Sequence, residues 1–238
     1  MEYRYEATSV AGFVQMLAAN YLAHGYWFFV QGFVPEGKDP RLTDEKLLEK
    51  YRIRISRDQR ARRKRAGLAN VHYLRYGSHF VLLATKGHHP FFAEEAKRIR
   101  DARQCPILFA GYSLSVRRGD YLKKHAECGQ PVADGKYRVR VQISRERLRL
   151  LKAHFLEMAL HRRAEVVVQA FWRLPFEPYA PVRRQLLNLL RLVNQSRREA
   201  GYERIPTDTL RYRRRIVKPF ERLEALASNV GANDRLTA

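Results

Sequence analysis

Apolar residues recur at helical spacing through Val10, Phe13, Val14, Leu17, Ala18 and Tyr21, which predicts a helix from about Val10 to His24. Thr8 or Ser9 can cap its start and Gly25 can stop it. The run YWFFVQGFV, Tyr26 to Val34, is dense in aromatic and β-branched residues and is closed by Pro35, so it reads as a buried strand. A short helix is expected from Asp44 to about Tyr51 with Thr43 as its cap. Two β-rich runs follow, about 70 to 76 and 79 to 85, separated by Gly77-Ser78, a pair suited to a type II′ hairpin turn. Pro90 opens a helix expected over Phe91 to about Arg103, and Ile107 to Val116 reads as a further strand.

After a glycine-containing loop from Arg117 to Gly135, the segment KYRVRVQIS alternates strictly. Tyr137, Val139, Val141 and Ile143 point one way, and Arg138, Arg140 and Gln142 the other. From Ser144 onward the period becomes helical. Leu148, Leu151, Phe155, Met158 and Ala159 form one stripe; a restart is expected near His161, and another helix begins at Pro181. A last helical stretch is expected through Leu226. These patterns predict an α+β fold, a mostly antiparallel sheet packed with helices and followed by a helical C-terminal extension. The domains expected are 1–143, α+β and nucleic-acid-binding, and 144–238, helical and basic, with Pro175 to Pro181 as a stiff elbow between helices.

Charge adds the partner. The chain has 238 residues and 45% hydrophobic content, enough for a substantial core, yet carries 46 Lys and Arg against 24 Asp and Glu, a net charge of +22. Of the basic residues 35 are arginine, whose planar fork grips phosphate in bidentate fashion and stacks on bases. RNA or DNA is the partner class this implies, structured RNA or single strands before duplex DNA, because no helix-turn-helix or zinc-finger pattern is present. A membrane surface fits less well, since Arg recurs along the whole chain rather than on one amphipathic helix or tail. Two cysteines make no disulfide framework or zinc motif, and no secretory leader or stretch of about 18 apolar residues occurs, so a cytoplasmic location is expected.

The sharpest local signal is SRDQRARRKRAG, read as a phosphate-tracking arm that orders on binding, with Arg57, Arg60, Arg62, Arg63, Lys64 and Arg65 as contacts. Arg117, Arg118, Arg138 and Arg140 around the sheet, and Arg211, Arg213, Arg214 and Arg215 in LRYRRR, extend the expected footprint. The function expected is nucleic-acid binding, as a subunit of a ribonucleoprotein or mobile-element complex with other protein subunits, and without a cofactor.

The alternative is a nuclease or strand-transfer enzyme. His88, His89 and Glu94 near a strand end could hold a divalent metal such as Mg²⁺, and Tyr121 in RRGDY, or after it Tyr212, could attack a phosphodiester. The segment LAANYLAHGYWFFV, Leu17 to Val30, resembles in outline the helix-to-strand opening of the LAGLIDADG homing endonucleases. Where that family places its metal-binding acid this chain has His24 and Gly25, so the resemblance implies no metal site of that kind. A phosphate loop, a strand-linked GxGxxG, an HExxH and a GxSxG elbow are all absent, which argues against ATP hydrolysis and acyl transfer.

Overall fold

The computed structural model describes residues 3–119, 122–124 and 131–221. It is an α+β fold with antiparallel sheets and a helical C-terminal part. The chain forms two compact units, residues 1–105 with 217–238, and residues 106–216. The point at 143/144, where the pattern changes from strands to helices, therefore falls inside the second unit. The last strand before it and the helices after it share one core.

In the first unit, α1 (Val10–Gln15) continues through a π-helical turn over Met16–Tyr21 and a 3-10 turn over Leu22–His24. Ser9 caps it by accepting from the Gly12 N–H at 3.1 Å, and Gly25 ends it at φ 91°. Strands β1 (Phe28–Phe33), β2 (Val71–Tyr76), β3 (His79–Ala84) and β4 (Arg100–Asp101) form one antiparallel sheet in the order β2-β3-β1-β4. Positive φ at Gly77 and not at Ser78 is what the expected type II′ turn between β2 and β3 requires.

Helix α2 (Pro40–Lys50) starts earlier than expected, because Pro40 presets the helical φ and the Asp39 carboxylate accepts from the Arg41 N–H at 2.9 Å. Asp44 then lies within the helix instead of at its start, and it is fully buried. There it accepts from Tyr73 Oη at 2.5 Å and from Arg75 Nε at 2.9 Å. Burial, followed by the bond to Asp44, holds the Tyr73 phenol well above its usual range. The expected helix over residues 91–103 is cut to α4 (Pro90–Glu94). The chain is needed elsewhere: β4 pairs with β1, and the Ala102 N–H donates to the Trp27 carbonyl at 2.8 Å.

His72 is enclosed by Tyr3, Tyr21 and Tyr26, with ring centroids 5.7, 4.9 and 4.8 Å away. Its Nδ1 lies 3.0 Å from Tyr3 Oη. Burial, aided by the Arg60 charge, pushes its pKa down to about 3. The folded unit thus binds one proton fewer than the unfolded chain between about pH 6.5 and 3, so this stability is present at neutral pH and drains away on acidification. Between pH 6.5 and 5 the loss should be on the order of 2 kcal/mol. Urea unfolding of His72→Asn, which keeps an acceptor near Nδ1, should show a correspondingly flatter pH dependence. Equal slopes in the two proteins would refute this account of His72.

In the second unit, the run expected as a single strand over 107–116 is a hairpin. Strands β5 (Ile107–Phe109) and β6 (Tyr112–Arg118) flank Ala110 and Gly111, at φ 45° and 79°. Left-handed conformation at both central residues is the type I′ geometry that matches strand twist. A two-stranded ribbon, β7 (Leu122–Lys124) and β8 (Pro131–Ala133), lies within the segment 117–135 expected to be loop. Strand β9 (Tyr137–Ile143) pairs with β6 over its whole length. Its alternation holds in the second half, where Val141 and Ile143 are buried while Arg140 is exposed; at the start of the strand Tyr137 is 39% exposed and Val139 half-buried, alongside exposed Arg138.

Helices α5 (Arg145–His161), α6 (Ala164–Trp172) and α7 (Ala180–Glu199) complete this unit. Phe155 and Phe171 join α5 to α6 at 4.1 Å between ring centroids. The Gln185 amide accepts from the Ile143 N–H at 2.8 Å and donates to the Ile143 carbonyl at 3.0 Å, fastening α7 to the end of β9. Asn194 makes the same two-point bond to Ile205, at 2.8 Å each way. The helix expected through Leu226 lies outside the described residues, whose tail follows a 3-10 turn at Thr207–Thr209 without regular secondary structure over 210–218. That tail returns to the first unit, where Thr8 N–H donates to the Pro219 carbonyl at 2.9 Å.

Candidate nucleic-acid interface

The basic tract is a helix, not an arm awaiting a ligand. In α3 (Arg57–Arg65), Ser56 Oγ accepts from the Gln59 N–H at 3.1 Å, and Gln59 Oε1 accepts from the Ser56 N–H at 2.8 Å. This reciprocal cap satisfies two end donors and sets the start of the helix. Four basic residues in the last turn meet the negative end of the helix dipole, which offsets part of their mutual repulsion.

The helix divides the six predicted contacts. Arg60 and Arg63 turn inward, where their guanidinium groups donate to the Ile53 carbonyl at 3.4 Å and the Ala69 carbonyl at 3.0 Å. Arg57, Arg62, Lys64 and Arg65 are exposed and make no ion pair among the described residues. The C-terminal end of α3 is fixed by a tight backbone crossing at Gly87. A Cβ at that residue would stand 2.6 Å from both the Ala69 nitrogen and the Gly67 oxygen.

In the second unit the open face of the sheet carries the other group. Arg117 of β6 lies directly opposite Arg138 of β9, and Ser115 lies opposite Arg140. Like charges placed opposite one another across strands destabilise a sheet. Asp134 pairs with Arg138, but Arg117 and Arg140 have no carboxylate partner among the described residues. The Arg138 guanidinium also lies against Gly119, where a Cβ would come within 2.3 Å of it. Arg118 belongs to the other face and stacks over Tyr137 at 5.4 Å.

Beside the hairpin a cavity of about 940 Å³ is lined by Leu108, Ser113, Arg145, Glu146, Arg149 and Leu150, among others. Leu108 and Leu150 are 57% and 51% exposed, so apolar surface lies open beside guanidinium groups. The Arg145 and Arg149 contribution was legible in the i, i+4 spacing on α5.

In the tail, Arg213, Arg214 and Arg215 are exposed, whereas Arg211 is half-buried. Arg211 is committed to the fold, donating to the carbonyls of Leu174 at 2.6 Å and Phe176 at 2.9 Å. Arg214 stacks over Tyr179 at 4.8 Å, and the Arg215 N–H donates to Glu177 at 3.0 Å.

The described candidate catalytic residues each hold a place in the local fold, and His89 and Glu94 are near enough to influence each other's titration. His89 caps α4, its Nδ1 accepting from the Phe91 N–H at 3.1 Å, and burial followed by the Arg63 charge lowers its pKa. Glu94 pairs with Lys50 at 2.7 Å, and that bond lowers its pKa. His88 joins the Gly87 crossing through its backbone and leaves its ring exposed. Among the described residues no group of three or more His, Cys, Asp and Glu is placed to hold a metal ion. Tyr121 lies outside the described residues. No described helix is long and apolar enough to cross a membrane. Set beside known proteins, the chain matches no family model and no curated protein.

Proposed function

We propose that this protein binds nucleic acid through phosphate contacts spread over α3 and the open face of the β5-β6-β9 sheet. The observation that carries this reading is Arg117 opposite Arg138, with Arg140 on the same face. Asp134 offsets the charge of Arg138, and the remaining positive charge of Arg117 and Arg140 becomes favourable when a polyanion lies across this face. Exposed cations on α3 and open leucine surface beside Arg145 and Arg149 support the same conclusion. The phosphates supply most of the affinity and recognition is largely independent of sequence. Single strands and structured RNA, whose bases are free to stack, are preferred over regular duplex. A role as a subunit of a larger nucleoprotein assembly fits a chain whose chemistry is gripping.

Titration of single-stranded RNA, single-stranded DNA and duplex DNA over a range of salt concentrations tests this. The logarithm of affinity should fall linearly with the logarithm of salt, with a slope of about 0.7 per phosphate for single strands. Arg117→Gln with Arg140→Gln should reduce that slope by about 1.4. Failure of the protein to bind any of the three nucleic acids at low salt would overturn the proposal.

A further inference from the structure

A second concave surface of this unit lies between α7 and the segment Leu210–Tyr212, with a volume of about 470 Å³. Arg184, Asn188 and Arg191 fall at i, i+4 and i+7, so one stripe of α7 forms a wall, joined by Arg183 and Leu187. Tyr212 forms the opposite side and is 53% exposed. Buried Leu186 and Leu210 give the floor an apolar base. Among the described residues no carboxylate lines the groove.

The walls are held in place before any ligand arrives. Gln185 and Asn194 fasten α7 at two points, and the paired bonds from Arg211 fix the opposing segment. Arg183 bridges the two sides by donating to the Tyr212 carbonyl at 3.1 Å. Arg191 makes one long bond of 3.4 Å to the Asn188 side chain, and Arg184 has no partner among the described residues.

We infer that this groove seats one unpaired nucleotide of a bound single strand, its base against the Tyr212 ring and its flanking phosphates on Arg184 and Arg191. An aromatic face, an apolar floor, an amide able to donate and accept, and cations without acids match a nucleobase joined to phosphate. The size lies within the range of small-ligand pockets. This inference rests on the nucleic-acid reading above and adds a place where bases, and not only phosphates, are recognised.

The test compares Tyr212→Ala, Tyr212→Phe and the unaltered full chain in binding single-stranded RNA, single-stranded DNA and duplex DNA of equal length. Tyr212→Ala should weaken single-strand binding by about 5- to 100-fold, leave duplex binding unchanged, and leave the salt slope unchanged because no charge is lost. Tyr212→Phe should restore the single-strand affinity. Among the described residues the exposed ring makes one long hydrogen bond, of 3.4 Å, to the Thr207 carbonyl, so both variants should retain the melting temperature of the unaltered chain. Single-strand affinity unaffected by Tyr212→Ala while phosphate-dependent binding persists would overturn the groove assignment alone. Absence of all binding by the unaltered chain would overturn both proposals.

Discussion

Replacing Arg57, Arg62, Lys64 and Arg65 with glutamine is expected to lower the salt slope of single-strand binding by about 3 and to weaken affinity near physiological salt by roughly two orders of magnitude. All four side chains are on the solvent side of α3, so the loss is one of charge and not of packing. Glutamine has nearly the helix propensity of arginine and lysine, and the Ser56–Gln59 cap is untouched. Removing positive charge from the last turn also removes a favourable dipole interaction, a stability effect of about 1 kcal/mol that thermal melting would register separately. Arg60 and Arg63 are left in place because they tie the helix to Ile53 and Ala69. An unchanged slope would mean that the exposed charges of α3 serve only to complement its dipole.

Arg75→Met is expected to destabilise the protein by about 3–5 kcal/mol, a loss visible as a large drop in the urea midpoint. Asp44 is fully buried, and Arg75, itself 4% exposed, is the cation that balances it. The guanidinium also donates to the Gly77 carbonyl at 2.8 Å and reaches Glu6 at 3.2 Å, so one side chain links β2, its hairpin turn and the N-terminal segment. Removing it leaves a carboxylate in the core with the Tyr73 hydroxyl as its remaining bond. Adding Asp44→Leu and Tyr73→Phe to Arg75→Met removes the buried polar atoms of the network, leaving the solvent-exposed Glu6 and Gly77 as its former partners, and should recover most of the lost stability. A triple variant as unstable as Arg75→Met would mean that packing, rather than an uncompensated charge, is the cause.

The two sets of residues show what local sequence conveys. The cap at Ser56 and Gln59 is a four-residue signal legible without a structure, but the density of like charge in SRDQRARRKRAG pointed to an arm. The sheet face of β9 was readable because an alternation of two is specific to strands, and the core side is buried at Val141 and Ile143, toward the C-terminal end of the strand. The hairpin at Ala110-Gly111 was not, because alanine at positive φ carries no local signal and its strain is overcome by the pairing of β5 with β6. Arg184 and Arg191 stand at i and i+7 on α7, a relation local to one helix, but Tyr212 joins them from 21 or more residues away in sequence.

The sequence by itself determined the sign of the surface, the broad α+β class and the elements with strong periods, since each depends on composition or on neighbours within a few residues. Only the tertiary structure decided which arginines face solvent. Arg75 balances Asp44 from 31 residues away, Arg197 is buried and donates to the Ala159 and Arg162 carbonyls, and Arg211 holds Leu174 and Phe176. In sequence these residues look like the exposed cations beside them. A guanidinium can serve equally as a buried multiple donor or as a phosphate ligand, and which role it takes depends on whether the fold brings carbonyls and carboxylates to its five N–H groups.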